Sequence, residues 1–177
     1  MSLLKRLFGF LVAIGILGLG LGMVLPTSWN VARTVTINAE PQRIHRLVDD
    51  LSQWPRWTGW TDGADKSFAF DRSYVGSGVG SSLAWRSAYG TGKLTLIRTD
   101  SDDGVAFDLA LNSASVNAHG AIAYAYDRET HSTSVTWSEG GAFEGRPIAG
   151  YRAVVESLTR GPRLNASLRH LKDAVEQ

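Results

Sequence analysis

Residues 33–60 read RTVTINAEPQRIHRLVDDLSQWPRWTGW, and this stretch decides the fold. Val35 and Ile37 alternate with Thr34, Thr36 and Asn38, the period-two pattern of a strand with one buried face. The strand stops over residues 38–41, where Pro41 suits the first turn of a helix because its missing N–H has no partner there anyway. Ile44, Leu47, Val48 and Leu51 follow at helical spacing, so one stripe of that helix is buried. Trp54, Trp57 and Trp60 then fall in a segment holding Pro55 and Gly59, which cannot continue the helix. We expect an aromatic loop seated on apolar surface.

Downstream, short alternating segments over residues 67–71, 81–87, 93–98, 105–111, 118–126 and 134–139 are separated by turn residues at 76–80, 89–92, 100–104, 112–117 and 127–133. Evenly spaced strands on short connections predict an antiparallel meander of about seven strands in one sheet, counting the first. A sheet of that size needs a cover. The carboxyl end supplies it: Ile148, Tyr151, Val155 and Leu158 are helically spaced after Pro147, and Leu164, Leu168, Leu171 and Val175 repeat the pattern after Gly161-Pro162. The Gly-Pro pair is expected to break or sharply kink this run.

The succession V-T-I-N-A-E-P at 35–41, a helix, then W-P-R-W-T-G-W at 54–60 resembles the opening of the SRPBCC superfamily, the START-like or helix-grip proteins. The likeness is nearest to the branch named polyketide cyclase/dehydrase. The segment GPRLNASLRHLKDAV at 161–175 is similar to that superfamily's terminal helix, so the resemblance covers about residues 29–175. Thr58-Gly59 departs from the Ser-Pro frequent in relatives, a change expected to loosen the loop. The resemblance implies an α+β, helix-grip domain: a curved antiparallel sheet wrapped around a long carboxyl-terminal helix, with an apolar ligand between them.

The chain has 177 residues, 44% hydrophobic and 10% aromatic, enough for one domain with a substantial core. Eighteen basic and 17 acidic residues are interspersed, for a net charge of +1, so no footprint for nucleic acid is present. With no cysteine, disulfides, thiolate metal sites and a cysteine nucleophile are excluded. Residues 7–25, LFGFLVAIGILGLGLGMVL, carry no charge and match a hydrocarbon core of ~30 Å at ~1.5 Å per residue. Lys5 and Arg6 precede this run and no charge follows it before Arg33, so the amino terminus is expected in the cytoplasm and the domain beyond the membrane. Residues 1–28 then form an anchor, with Trp29 at the interface, and residues 29–177 the domain. A cleaved signal peptide is the competing reading, resting on Gly20-Leu21-Gly22. Gly18 and Gly22 form a small-xxx-small pair suited to a weak homodimer.

Strand parity puts Leu83 and Trp85, Leu94 and Leu96, Phe107, Leu109 and Leu111, Ile122, Tyr124 and Tyr126, and Val135 and Trp137 on the covered side. We expect Trp57, Leu83, Trp85, Leu94, Leu96, Phe107, Leu109, Tyr124, Trp137, Tyr151, Leu164 and Leu168 to line a pocket for a hydrophobic small molecule or lipid. Glu139 continues the parity of Val135 and Trp137, making it the candidate acid or base for the alternative, a cyclase or dehydratase working in the same space. Arg86 and Arg98 are expected at the surface. Residues 76–82, GSGVGSS, lack the Gly-Lys-Ser/Thr ending of a phosphate loop and run into a strand, so they read as a tight bend. His45, His119, His131 and His170 are read as showing neither a His-x-x-x-His pair nor a mixed carboxylate spacing, and there is no Gly-x-Ser-x-Gly elbow, so neither a metal, a cofactor nor a hydrolase triad is implied.

Overall fold

In the computed structural model, which describes residues 2–59, 69–71, 75–87, 90–111 and 116–177, alternation resolves into seven antiparallel strands. They are β1 (Ser28–Ile37), β2 (Ala69–Asp71), β3 (Ser82–Ser87), β4 (Gly90–Asp100), β5 (Gly104–Leu111), β6 (Val116–Asp127) and β7 (Ser132–Ala142). The sheet order is β1-β7-β6-β5-β4-β3-β2, a meander closed at one edge by the first strand beside the last. Trp60 and residues 67–68 of the expected second strand lie outside the described residues. Between Leu96 and Arg98 the β4–β5 register shifts, a bulge that bends the sheet.

Two short helices follow β1. α2 (Pro41–Val48) begins with Pro41 in its first turn and buries Ile44 and Val48. The expected aromatic loop is a single helical turn, α3 (Trp54–Trp57). Its tryptophans do more than fill space: Trp54 Nε1 donates to the Val48 carbonyl at 2.8 Å and Trp57 Nε1 to that of Leu47 at 3.1 Å. These carbonyls end α2 and lack helical partners, so the indoles cap it. Thr58 tightens the turn instead of loosening it. Its hydroxyl donates to the Trp54 carbonyl at 2.7 Å, and its own carbonyl accepts the Ser167 hydroxyl at 2.7 Å. Gly59, with φ of 67°, takes the left-handed conformation that ends a helix.

α4 (Ile148–Glu176) is one helix of 29 residues with Pro162 inside it. The break expected at Gly161-Pro162 does not occur. Pro162 is on the exposed face, while buried Gly161 and Leu164 hold the helix to the sheet on the other side. α4 packs mainly on β1 and also on β7, whereas α2 packs on β5 and β6. Its carboxyl end is pinned where Lys172 Nζ donates to the Thr36 carbonyl at 2.8 Å and the Asn38 N–H donates to Glu176 at 2.8 Å.

The faces of the first half of α4 are the reverse of the expected ones. Ile148, Tyr151, Val155 and Leu158 point outward and exposed, and Ala149, Gly150 and Ala153 are buried. Small side chains let this half lie close to its neighbours, so bulk goes to the outside.

α1 (Ser2–Val24) carries no charge after Arg6, and residues 3–24 are long and apolar enough to cross a membrane. Its Gly18 and Gly22, read from sequence as a self-association face, lie against α4 of the same chain. Trp29, expected as an interfacial anchor, is buried with the Arg160 guanidinium over its ring, 4.6 Å from the centroid.

Candidate functional site

The candidate site is the covered face of the sheet. Parity assigned its residues correctly: Leu83, Leu94, Leu96, Phe107, Leu109, Ile122, Tyr124, Val135 and Trp137 are all buried, as are Trp57 from α3 and Leu164 and Leu168 from α4. Arg86 and Arg98 are exposed on the sheet, as expected.

These groups meet one another at the centre. Trp54 and Trp57 are 5.0 Å apart by centroid, Trp54 meets Phe107 and Trp137 edge-on at 5.6 Å, and Trp57 meets Trp137 at 5.5 Å. Edge-to-face pairs at such distances are attractive contacts that fill volume. Among the described residues, the space expected to lie open beneath the terminal helix is therefore occupied by four interlocked rings.

One hollow of about 60 Å³, between Leu47, Gln53, Arg56, Trp57 and Ala174, has room for a few water molecules. A solvent-open groove of about 490 Å³ is bordered by Glu40, Pro41, Gln42, Asp102, Tyr126 and Arg128, a polar set unlike the apolar lining of ligand pockets. Tyr151 lies apart from the face. It is on the outer side of α4, its hydroxyl donating to the Gly18 carbonyl at 2.6 Å.

Beyond the packed centre the sheet keeps a second apolar row. Phe70 pairs with Trp85, Trp85 with Gly92 and Gly92 with Leu111, so the four cross β2 to β5 in register. Phe70, Trp85 and Leu111 are half-buried and pack against the core. A Cβ on Gly92 would fall 2.2 Å from the Trp85 ring, so glycine there lets the indole lie flat across its neighbour. Among the described residues no helix packs closely on β2, β3 or β4.

The polar groups sort into two clusters. Glu139 sits mid-strand in β7, not at a solvated strand end, and is 4% exposed. It accepts the Trp137 Nε1–H at 3.0 Å and pairs with Arg160 at 2.5 Å, and Arg160 also holds Glu156 at 3.0 Å. Burial pushes the Glu139 carboxyl above its ordinary range, opposed by the Arg160 guanidinium and the indole N–H. Both carboxylate oxygens are engaged, so the candidate acid–base group is a buried ion-pair partner fastening α4 to β7.

The second cluster escaped sequence reading. His45 and Asp49 sit one helical turn apart at the end of α2. The Thr99 hydroxyl donates to Asp49 at 2.6 Å and lies 3.1 Å from His45 Nε2, and Asp49 also accepts the Gly78 N–H at 3.1 Å. The expectation of no mixed histidine–carboxylate spacing is wrong here: His45-x-x-x-Asp49 was the available signal. His45 meets the Tyr124 ring edge-on at 6.0 Å, and among the described residues the buried Tyr124 hydroxyl and His45 Nδ1 find no hydrogen-bond partner. Burial raises the Tyr124 hydroxyl pKa, and the Asp49 charge adds to it, so it stays protonated. The Gly78 bond also places the glycine-rich bend against the end of α2. No group of three or more metal-ligating side chains occurs among the described residues.

These elements, a seven-stranded antiparallel sheet gripping one long carboxyl-terminal helix, make the helix-grip fold of the Bet v1-like, SRPBCC proteins. Solved structures agree. Norcoclaurine synthase from Thalictrum flavum, in complex with dopamine and hydroxybenzaldehyde, is similar with a TM-score of 0.60 and 14% identity over 84% of this chain and 86% of that one. Protein CV1439 from Chromobacterium violaceum matches with a TM-score of 0.57 and 14% identity over 84% and 98%. Ara h 8.0201 matches with a TM-score of 0.54 and 8% identity over 84% and 97%. At such identities the likeness is one of fold. No family profile and no curated protein matches the sequence.

Proposed function

We propose that the chain is a membrane-anchored, extracytoplasmic binding module for a hydrophobic small molecule or lipid, held at the β2–β5 end of the sheet and not beneath α4. The observation that carries this is the half-buried row of Phe70, Trp85 and Leu111, continuous across β2 to β5 with buried Leu83, Leu94 and Leu109. An apolar wall with few polar groups suits a ligand recognised by area and shape. The packed rings of Trp57, Phe107 and Trp137, with Leu164 and Leu168 beyond them, serve as the back of that wall. The fold supports the reading by analogy, since one neighbour was solved with small aromatic molecules bound. The alternative, a cyclase or dehydratase, loses its acid–base candidate to the Glu139–Arg160 pair.

The full chain, purified in mild detergent, is extracted with solvent and the extract analysed by mass spectrometry, and a fluorescent fatty acid is titrated against the protein and displaced. A co-purifying apolar molecule and displaceable binding that weakens several-fold in Trp85→Ala are expected. An empty extract together with no displaceable binding sinks the proposal.

A further inference from the structure

Ile148, Tyr151, Val155 and Leu158 form one stripe along the outer side of α4, with Leu158 71% and Ile148 66% exposed. Single exposed apolar residues are ordinary, but four on consecutive turns make a continuous apolar face. Past Pro162 the same side of the helix carries Ala166, Arg169 and Asp173, all exposed. One face therefore changes from apolar to polar along its length, and the apolar end is where α1 arrives.

The two helices touch closely there. A Cβ on Gly22 would lie 2.7 Å from both Pro147 Cβ and the Tyr151 ring, and one on Gly150 would lie 2.6 Å from Leu25 Cβ. The Arg146 guanidinium donates to the carbonyls of Met23, in the last turn of α1, and Leu25, just past its end. Gly22 is two residues from the end of α1, about 3 Å at ~1.5 Å per residue. With α1 spanning a bilayer, the first turn of α4 sits at the boundary of hydrocarbon and headgroups, and its apolar stripe starts there.

We propose that the outer face of the first half of α4, carrying Ile148, Tyr151, Val155 and Leu158, is a second membrane contact, immersed in the interfacial layer beside α1 and fixing the domain's tilt on the bilayer. It rests on the reading of α1 as a membrane span. Charge does not decide it: Arg146, Arg152 and Arg163 flank the stripe with Glu144 and Glu156 among them, so apolar burial supplies the attraction.

Because the chain has no cysteine, single labels can be placed at will. The variants Ile14→Cys, Val155→Cys, Leu158→Cys and Ala166→Cys, each in the full chain, are tagged with an environment-sensitive fluorophore and reconstituted into phosphatidylcholine–phosphatidylglycerol vesicles. Quenching is measured with aqueous iodide and with a lipid bearing a shallow nitroxide. Labels at 155 and 158 are expected to be several-fold better shielded from iodide than the label at 166, and quenched by the nitroxide lipid. If the label at 14 is lipid-shielded while those at 155 and 158 meet iodide as freely as 166, the second contact is overturned and the anchor stands. If the label at 14 is itself aqueous, the anchor reading fails and this inference with it. Shielding at 155 and 158 that vanishes as protein is diluted in lipid would assign the face to a second copy of the chain and overturn the inference.

Discussion

Glu139 and Arg160 illustrate how burial redefines a residue. Parity alone pointed the carboxylate inward, and it does point inward, but an inward charge is held only with its partners. Removing Arg160 as Arg160→Met leaves a carboxylate 4% exposed with the Trp137 N–H as its remaining hydrogen bond, expected to cost about 3–5 kcal/mol at neutral pH. The pH dependence follows from linkage. Without the guanidinium, the folded-state pKa of Glu139 rises further above the ordinary 4.5, while the unfolded chain stays near that value. Between the two the folded state alone binds the proton, so the variant gains stability as pH falls from neutral, and its deficit against the parent narrows. Denaturant titrations followed by tryptophan fluorescence at neutral and mildly acidic pH check this. A deficit that is unchanged or wider in acid refutes it, and the Glu139→Gln/Arg160→Met pair is expected to recover most of the loss.

At the scale of elements, α4 shows both the reach and the limit of the sequence. A proline in a helix interior is disfavoured by about 3 kcal/mol relative to alanine, and a helix containing one survives only if packing outweighs that. Pro162→Ala is expected to stabilise the protein by roughly 2 kcal/mol, the restored hydrogen bond being offset by ~0.4–1 kcal/mol of extra freedom in the unfolded chain. A thermal midpoint that falls in Pro162→Ala would mean that the ring makes contacts the helix needs. Sequence reading placed a break here because it weighed the local cost and had no access to the packing of Ala153, Gly161 and Leu164 on β1 and β7. Strand faces were legible because alternation is a local property, and Leu83, Leu94, Phe107 and Trp137 all fell on the expected side. Whether that face encloses space is a sum over distant contacts, and the meeting of Trp54 and Trp57 with Phe107 and Trp137 is written in no single segment. Reading bulk as burial inverted the first half of α4, where Ala149, Gly150 and Ala153 face inward because close approach requires small side chains.

The whole molecule is lopsided in polarity, and that asymmetry argues for an orientation. Within residues 3–24 an 18-residue window has a mean hydropathy of 2.4 and is almost entirely uncovered by the rest of the chain. Each large apolar side chain withdrawn from water contributes about 1.5–3 kcal/mol, so a run of this length is stable only in lipid or against another protein. Lys5 and Arg6 lie at one end of α1, and the first charge at the other is Arg33, inside β1 and so part of the folded domain. We propose that the two cations are retained on the cytoplasmic side, which carries the domain to the opposite face. In cells, a membrane-impermeant maleimide added outside is expected to label His170→Cys in intact cells and Leu3→Cys only after the membrane is opened, with the intact chain mass retained. External labelling of Leu3→Cys with protection of His170→Cys would reverse the orientation. A mature chain lacking residue 3 would make α1 a cleaved leader, and the contact between α1 and α4 would then exist only before cleavage. Exchanging both cations in Lys5→Glu/Arg6→Glu is expected to mix the two labelling patterns, because little else near α1 biases its direction.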